Sequence, residues 1–253
     1  MTAPLPLWRR VAEPAMWFIG LMVLWEMAVI ALAVPAFVLP APSVFLVRII
    51  EEYDRLAHHG FITTRMIFYG FLAGAIPGIA LAYIIARSRF AEKLLYPMVV
   101  FIQGLPKITL APLMLVWFGF GAFPKVLMTA LITFFPVLVD SVAGFKGIDR
   151  RQYHLSRSMG ASWWQTFRYF ELPAAAPQIF SGLKITIVIA VTVVIVVEWL
   201  NSNNGLGYLV LRAMDANDTA LLFAILVVGS TIGVILSYAM VLLENFLMPW
   251  RRR

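Results

Sequence analysis

Apolar residues run for about twenty positions at a time along this chain, and short polar stretches punctuate the runs. Six runs, at 16–34, 61–86, 94–118, 126–143, 178–200 and 221–245, match the ~20 residues that a helix needs to cross a hydrocarbon core. Backbone polar groups have no partners in lipid, so runs of this length predict helices rather than open sheet. The pattern therefore predicts an all-α, polytopic membrane protein of about six transmembrane helices. Residues 1–253 form a single transmembrane domain in this reading, with a polar segment at 144–177 inside it.

Two runs depart from a plain span. Between the first and second, Pro35, Pro40 and Pro42 stop the helix, and from Ser43 apolar residues recur at Leu46, Ile49, Ile50, Tyr53 and Leu56. That spacing predicts an amphipathic helix at the outer interface or packed on the other spans. The third run is broken by Gly104, Pro106 and Pro112, with Lys107 near its middle. Proline removes a backbone donor and kinks a helix, and such breaks at membrane depth line protein cavities. Lys107, flanked by Gln103 and Thr109, then has two readings: a pathway cation that attracts an anion, or a lysine bonded to freed carbonyls or to a structural carboxylate.

Composition agrees with the pattern. Hydrophobic residues make up 62% of the chain and charged ones 13%, with a mean hydropathy of +0.87, too little polar surface for a soluble domain. The absence of cysteine excludes disulfides, thiol chemistry and thiolate metal sites. The histidines His58, His59 and His154 do not form a ligand pattern, and no metal site or cofactor is expected. Arg9 and Arg10 precede a first apolar run too long for a signal core, so a retained helix is expected.

The net charge of +7 is read through its distribution rather than as a sign of nucleic acid. With both termini in the cytoplasm, thirteen Lys and Arg fall inside, among them Arg87, Arg89, Lys146, Arg157, Arg168 and Arg251. Five fall outside: Arg48, Arg55, Arg65, Lys125 and Arg212. That asymmetry fixes the orientation. Lys184 lies close enough to the inner end to snorkel. Gly70, Gly74 and Gly78, and again Gly229 and Gly233, repeat at the spacing that lets helices approach closely. Carboxylates inside the runs are few. Glu198 near an outer end is either a gate or substrate contact beside Asn201, or an interfacial cap paired with a cation; Glu26 carries the same ambiguity, and Asp140 is expected to meet cytoplasmic basic residues.

The segment 144–177 is too polar to span and too aromatic for a linker. Asp149 is placed to cap a short helix, and Gly160 to end it. Ser162 is placed to cap a second helix, running through Trp163, Trp164, Phe167 and Phe170 to Pro173. A helix–glycine–helix elbow follows on the cytoplasmic face. Its aromatics and arginines suit either a groove on another protein or lipid headgroups.

Gly160 is followed after nine residues by Phe170-Glu171-Leu172-Pro173, a spacing that resembles the coupling loop of type I ABC-importer permeases: Glu-Ala-Ala, three residues, Gly, nine residues, Ile-x-Leu-Pro. Gly160, Leu172 and Pro173 match; Phe170 stands for Ile; His154, Leu155 and Ser156 replace the Glu-Ala-Ala triplet. VLPAPS at 38–43, WFGFG at 117–121, FFPVLVDSVAGFKGID at 134–149 and VEWLNSNNGLGYL at 197–209 are similar to the nitrate, sulfonate and taurine branch, which also includes carriers of thiamine pyrimidine precursors and aromatic acids.

The resemblance implies a multi-pass protein of the bacterial inner membrane, present as two copies with two cytoplasmic ATPase subunits and an extracytoplasmic solute-binding protein. ATP and Mg would be bound by those partners, since no GxxxxGK[ST] occurs here. The coupling residues would be His154, Leu155, Ser156, Arg157, Gly160, Ala161, Ser162, Trp163, Trp164, Leu172 and Pro173. Pathway candidates are Gln103, Lys107, Thr109, Glu198 and Asn201, and a small anion is one expected cargo. The alternative is an ion-gradient-driven carrier or channel, although mid-membrane ionisable residues are few.

Overall fold

The computed structural model describes residues 7–149, 151, 155–156 and 158–252, with the backbone alone at 7–11, 14, 201, 251 and 252. Among the described residues there are helices and no strands. Helix α1 (Leu7–Ala31) lies at the edge, its side chains mostly exposed. Helix α2 (Pro42–Glu51) follows, with Pro42 in its first turn. Glu26 of α1 accepts from the Ser43 backbone N–H at 2.9 Å and from its hydroxyl at 2.6 Å, so a carboxylate from one helix caps the N-terminus of the next. Trp25, Phe45 and Phe223 pack together beside this cap, with ring centroids 5.6–5.9 Å apart.

The amphipathic stretch is shorter than its periodicity predicts. The chain bends at Glu52, and Tyr53 already opens α3 (Tyr53–Arg87), which thus begins eight residues before the apolar run. The bend is held by Arg48, which donates to Asp218 at 2.7 Å and to Glu51 at 3.0 Å.

The broken third run is two helices, α4 (Arg89–Gln103) and α5 (Ala111–Phe118), joined through a 3-10 turn at Lys107–Leu110 and bent by 80°. Then come α6 (Ala122–Lys146), a short α7 (Trp163–Thr166), α8 (Leu172–Asn201), α9 (Leu206–Asp215) and α10 (Thr219–Leu247). Among the described residues, four helical stretches are long and apolar enough to cross a membrane: α3, α6, Trp163–Leu200 and α10; the bent pair makes a fifth, and Ala15–Ala31 is a shorter apolar helix.

A further boundary differs from expectation. The second arm of the elbow does not stop at Pro173: α7 continues through a π-helical turn at Phe167–Glu171 into α8. Proline clashes with the carbonyl four residues back in a regular helix, and the wider π turn supplies the room. The elbow is therefore one end of a span.

The core joins α3, α6 and α8. A Cβ on Gly70 would run into Thr129, and one on Gly74 into Thr133 and the Ala130 carbonyl, so the stripe lets α3 lie against the backbone of α6. Thr129 and Thr133 donate to the carbonyls of Lys125 and Thr129, four residues back, at 2.8 Å, so both hydroxyls are satisfied within α6. Gly182 on α8 makes room for Asp140, which is half-buried against it. Lys184, expected to snorkel, instead pairs with nearly buried Glu244 of α10 at 2.6 Å. Gly229 approaches Ile195, while Gly233 is only in ordinary contact with Val191.

Candidate functional site

Side chains cluster at the two ends of the α3–α6–α8 core. At the end expected to face the cytoplasm, Gly160 has φ +72°, and the Ala161 N–H donates to the Ser156 carbonyl at 3.1 Å. These are the left-handed residue and long-range bond of a Schellman stop. The hydroxyl of Ser162 accepts from the Gln165 N–H at 3.3 Å, and the Gln165 side chain accepts from the Ser162 N–H at 2.8 Å, a reciprocal capping box. Asp149 accepts from the Arg151 N–H at 2.9 Å on the first arm.

Ser156 is fully buried and receives a 3.4 Å contact from the Thr166 hydroxyl, tying the two arms together. Leu155, Met159, Trp163 and Trp164 stay exposed. Leu172 and Pro173 are half-buried, Leu172 against the main core; Ala161 is half-buried in the elbow. His154 and Arg157 lie outside the described residues.

Sequence reasoning missed what anchors the elbow. Phe167 meets Tyr83 of α3 edge-on at 4.8 Å, and Tyr83 also touches Trp163 (6.2 Å) and Phe145 of α6 (5.2 Å). Glu171, 6% exposed, accepts from the Tyr83 hydroxyl at 2.9 Å and pairs with Arg87 at 3.0 Å. The available signal was a carboxylate at the head of an apolar run, with Tyr and Arg four residues apart on another.

At the outer end, Glu198 is fully buried. One oxygen accepts from the Thr63 hydroxyl at 2.7 Å and from the Gly207 N–H at 3.2 Å; the other has no hydrogen-bond partner among the described residues. Glu198 thus lies buried beneath the first turn of α9, accepting from its Gly207 N–H, rather than exposed at the interface. Lys125, expected in an outer loop, is buried at the start of α6 and donates to Ser202 (2.6 Å) and Asn204 (3.1 Å). Thr63 accepts from the Leu206 N–H at 2.8 Å, and His59 Nδ1 from the Gly205 N–H at 2.9 Å.

Two glycines make this closure possible. Gly205 sits at φ +101° over the Glu198 carboxylate, and a Cβ on Gly207 would enter the Ile195 carbonyl and the Trp199 nitrogen. The loop from Ser202 to Gly205 and the first turn of α9 thus fold back over the end of α8.

The remaining pathway candidates lie at the 80° break. Lys107 donates to the Gln103 carbonyl at 2.7 Å and lies 4.9 Å above the Phe135 ring. It thereby caps the carbonyls freed at the end of α4. The Thr109 hydroxyl donates to the Pro106 carbonyl at 2.7 Å, and Gln103 and Thr109 are both exposed. The structure does not bring these residues to Glu198, and the side chain of Asn201 lies outside the described residues. Among the described residues no group of three or more His, Asp or Glu is placed to hold a metal ion.

Several apolar spans, one of them broken, and a capped aromatic elbow at one end of the core describe a multi-span helical membrane protein. Residues 74–253 match the family described as the binding-protein-dependent transport system inner membrane component. The chain belongs to this family. It is 35% identical over 95% of its length to the formylaminopyrimidine transport permease of Halalkalibacterium halodurans, covering 96% of that protein. It is 34% identical over 91% to the riboflavin transport system permease of Chloroflexus aurantiacus, covering 87% of it. The taurine transport system permease of Escherichia coli is 27% identical over 91% of the chain and 86% of its own length.

The fold is also that of a solved methionine ABC transporter chain in an inward-facing conformation, with a TM-score of 0.62 and 19% identity over 76% of this chain and 93% of that one. The protein is therefore the multi-pass inner-membrane permease of an ABC importer, and ATP hydrolysis belongs to a separate subunit. The alternative of an ion-gradient-driven carrier falls with this assignment.

Proposed function

We propose that two copies of this chain form the pathway, that two ATPase subunits dock on the elbow within 144–177, and that a solute-binding protein delivers a small heteroaromatic solute of the formylaminopyrimidine type. The observation that carries the substrate reading is the match to the formylaminopyrimidine permease along nearly the whole of both chains. The expectation of an anionic cargo leaned on Lys107 and on the resemblance to the nitrate, sulfonate and taurine branch; the Lys107 amine is bonded to the Gln103 carbonyl, and the taurine permease match is weaker, at 27% identity.

Docking is supported by four exposed apolar side chains, Leu155, Met159, Trp163 and Trp164, on a rigidly capped elbow. Large aromatics in a desolvated groove supply most of the energy in such contacts. When the ATPases close on ATP, the paired elbows are drawn together and the spans pass between inward- and outward-facing states, a two-state element biased by nucleotide.

The test is uptake into proteoliposomes holding the permease, its ATPase and its solute-binding protein. ATP-dependent accumulation of labelled formylaminopyrimidine, undiminished by excess taurine and by protonophore, is the expected result. Accumulation of taurine in its place would overturn the substrate reading.

A further inference from the structure

Docking accounts for the exposed face of the elbow and leaves its inner face unexplained. There Glu171 spends both carboxylate oxygens on α3, one on the Tyr83 hydroxyl and one on Arg87. Tyr83 and Arg87 are four residues apart, on one face of the last turns of α3. A carboxylate this enclosed is costly without partners and firmly held with them. The π turn at Phe167–Glu171 is local to this contact and shifts the face of the helix that meets α3. The aromatic seam of Phe167 and Trp163 on Tyr83 closes around the same point.

We propose that Glu171 is a positioning residue that ties the elbow to α3, so that elbow and α3 move as one body through the transport cycle. The elbow is continuous with α8, and without this clamp its displacement would pass chiefly along α8, with only apolar packing to carry it to α3. With it, the displacement also reaches α3, and from α3 the glycine-lined seam to α6. Two discrete arrangements of packed helices carry coupling of this kind. The inference rests on the elbow being the ATPase dock.

The experiment uses the assembled importer in proteoliposomes and reads uptake per ATP hydrolysed. Glu171→Gln keeps an acceptor for Tyr83 and removes the charge opposite Arg87. Its complex is expected to assemble, with uptake per ATP lowered about three- to tenfold. The chain has no cysteine, so Arg87→Cys with Glu171→Cys introduces a unique thiol pair. Both positions line an open cavity of about 580 Å³, which gives a short bis-methanethiosulfonate linker access.

Low uptake per ATP with free thiols, recovered on bridging within the same preparation, supports the clamp even if the Gln variant fails to accumulate. Wild-type coupling in an assembled Gln variant overturns it, as does a bridged complex that hydrolyses ATP without uptake. Failure of docking itself would show differently, as an ATPase that no longer depends on the elbow for assembly.

Discussion

Two buried carboxylates stand on one continuous helix, Glu171 at its cytoplasmic end and Glu198 at its outer end, roughly 40 Å apart at 1.5 Å per residue. Burial alone makes them look alike. Glu198 is fully enclosed, takes its hydrogen bonds from a hydroxyl and a backbone N–H, and sits under a loop that only glycine lets approach. Glu171 borders an open cavity, and its partners are a tyrosine and a partly exposed arginine on a neighbouring helix. The outer end is closed by backbone packed on backbone at Gly207 and by buried side chains bonded to the loop, while the inner end is assembled from side chains around an exposed aromatic face. A backbone seal does not yield to small changes, whereas side-chain contacts leave a surface on which a partner can act. What holds a buried charge therefore says more about its role than how deeply it lies.

The largest expected effect strikes the seal. Gly207→Val places a Cβ inside the Ile195 carbonyl and the Trp199 nitrogen, atoms that cannot step aside as a side-chain tip can. A loss of about 3 kcal/mol is expected, visible as a lowered thermal transition and loss of monodisperse subunit after detergent extraction. Next comes the inner face. Trp163→Ala with Trp164→Ala removes two mostly exposed rings, so the thermal transition of the isolated subunit should barely move. Co-purification of the ATPase should weaken by about 2 kcal/mol or more, roughly thirtyfold. A stable Gly207→Val subunit, or a double tryptophan variant that unfolds while still binding the ATPase, would invert the contrast between the ends.

The two ends were not equally legible in the sequence. Apolar runs marked the spans, and Gly160, Ser162 and Asp149 marked the elbow, because caps and left-handed stops are local and depend on residues a few positions apart. The break at Gly104–Pro106 was legible for the same reason. The outer hub was not: Thr63, Lys125 and Glu198 come from three different helices, and only the fold joins them. Lys125 looked like an outer-loop cation because it stands beside Pro124 at the edge of an apolar run, and its burial depends on Ser202 and Asn204, 77 and 79 residues away. The Gly205–Gly207 pair was visible as a motif, but its purpose, making room for a carboxylate and for the turn beneath it, is tertiary. The continuation of the elbow into α8 was hidden by Pro173, which reads locally as a helix stop and is accommodated by a π turn that no spacing rule announces.

The smallest expected effect separates geometry from packing at Gly160. A Cβ there would meet no atom within 4 Å, so space does not forbid a side chain; the backbone at φ +72° does. Asparagine accepts the left-handed region more readily than other residues, and β-branched valine is strained in it. Gly160→Asn should therefore keep most ATP-dependent uptake, while Gly160→Val, costing about 1–2 kcal/mol locally, should tilt the docking arm and lower uptake and ATPase stimulation together. The same substitutions at Gly207 should give no such ranking, since any Cβ there enters backbone atoms. If Gly160→Val transports as the wild type does, the elbow does not need its left-handed stop, and the contrast between a forgiving inner end and an unforgiving outer one would rest on the aromatics alone.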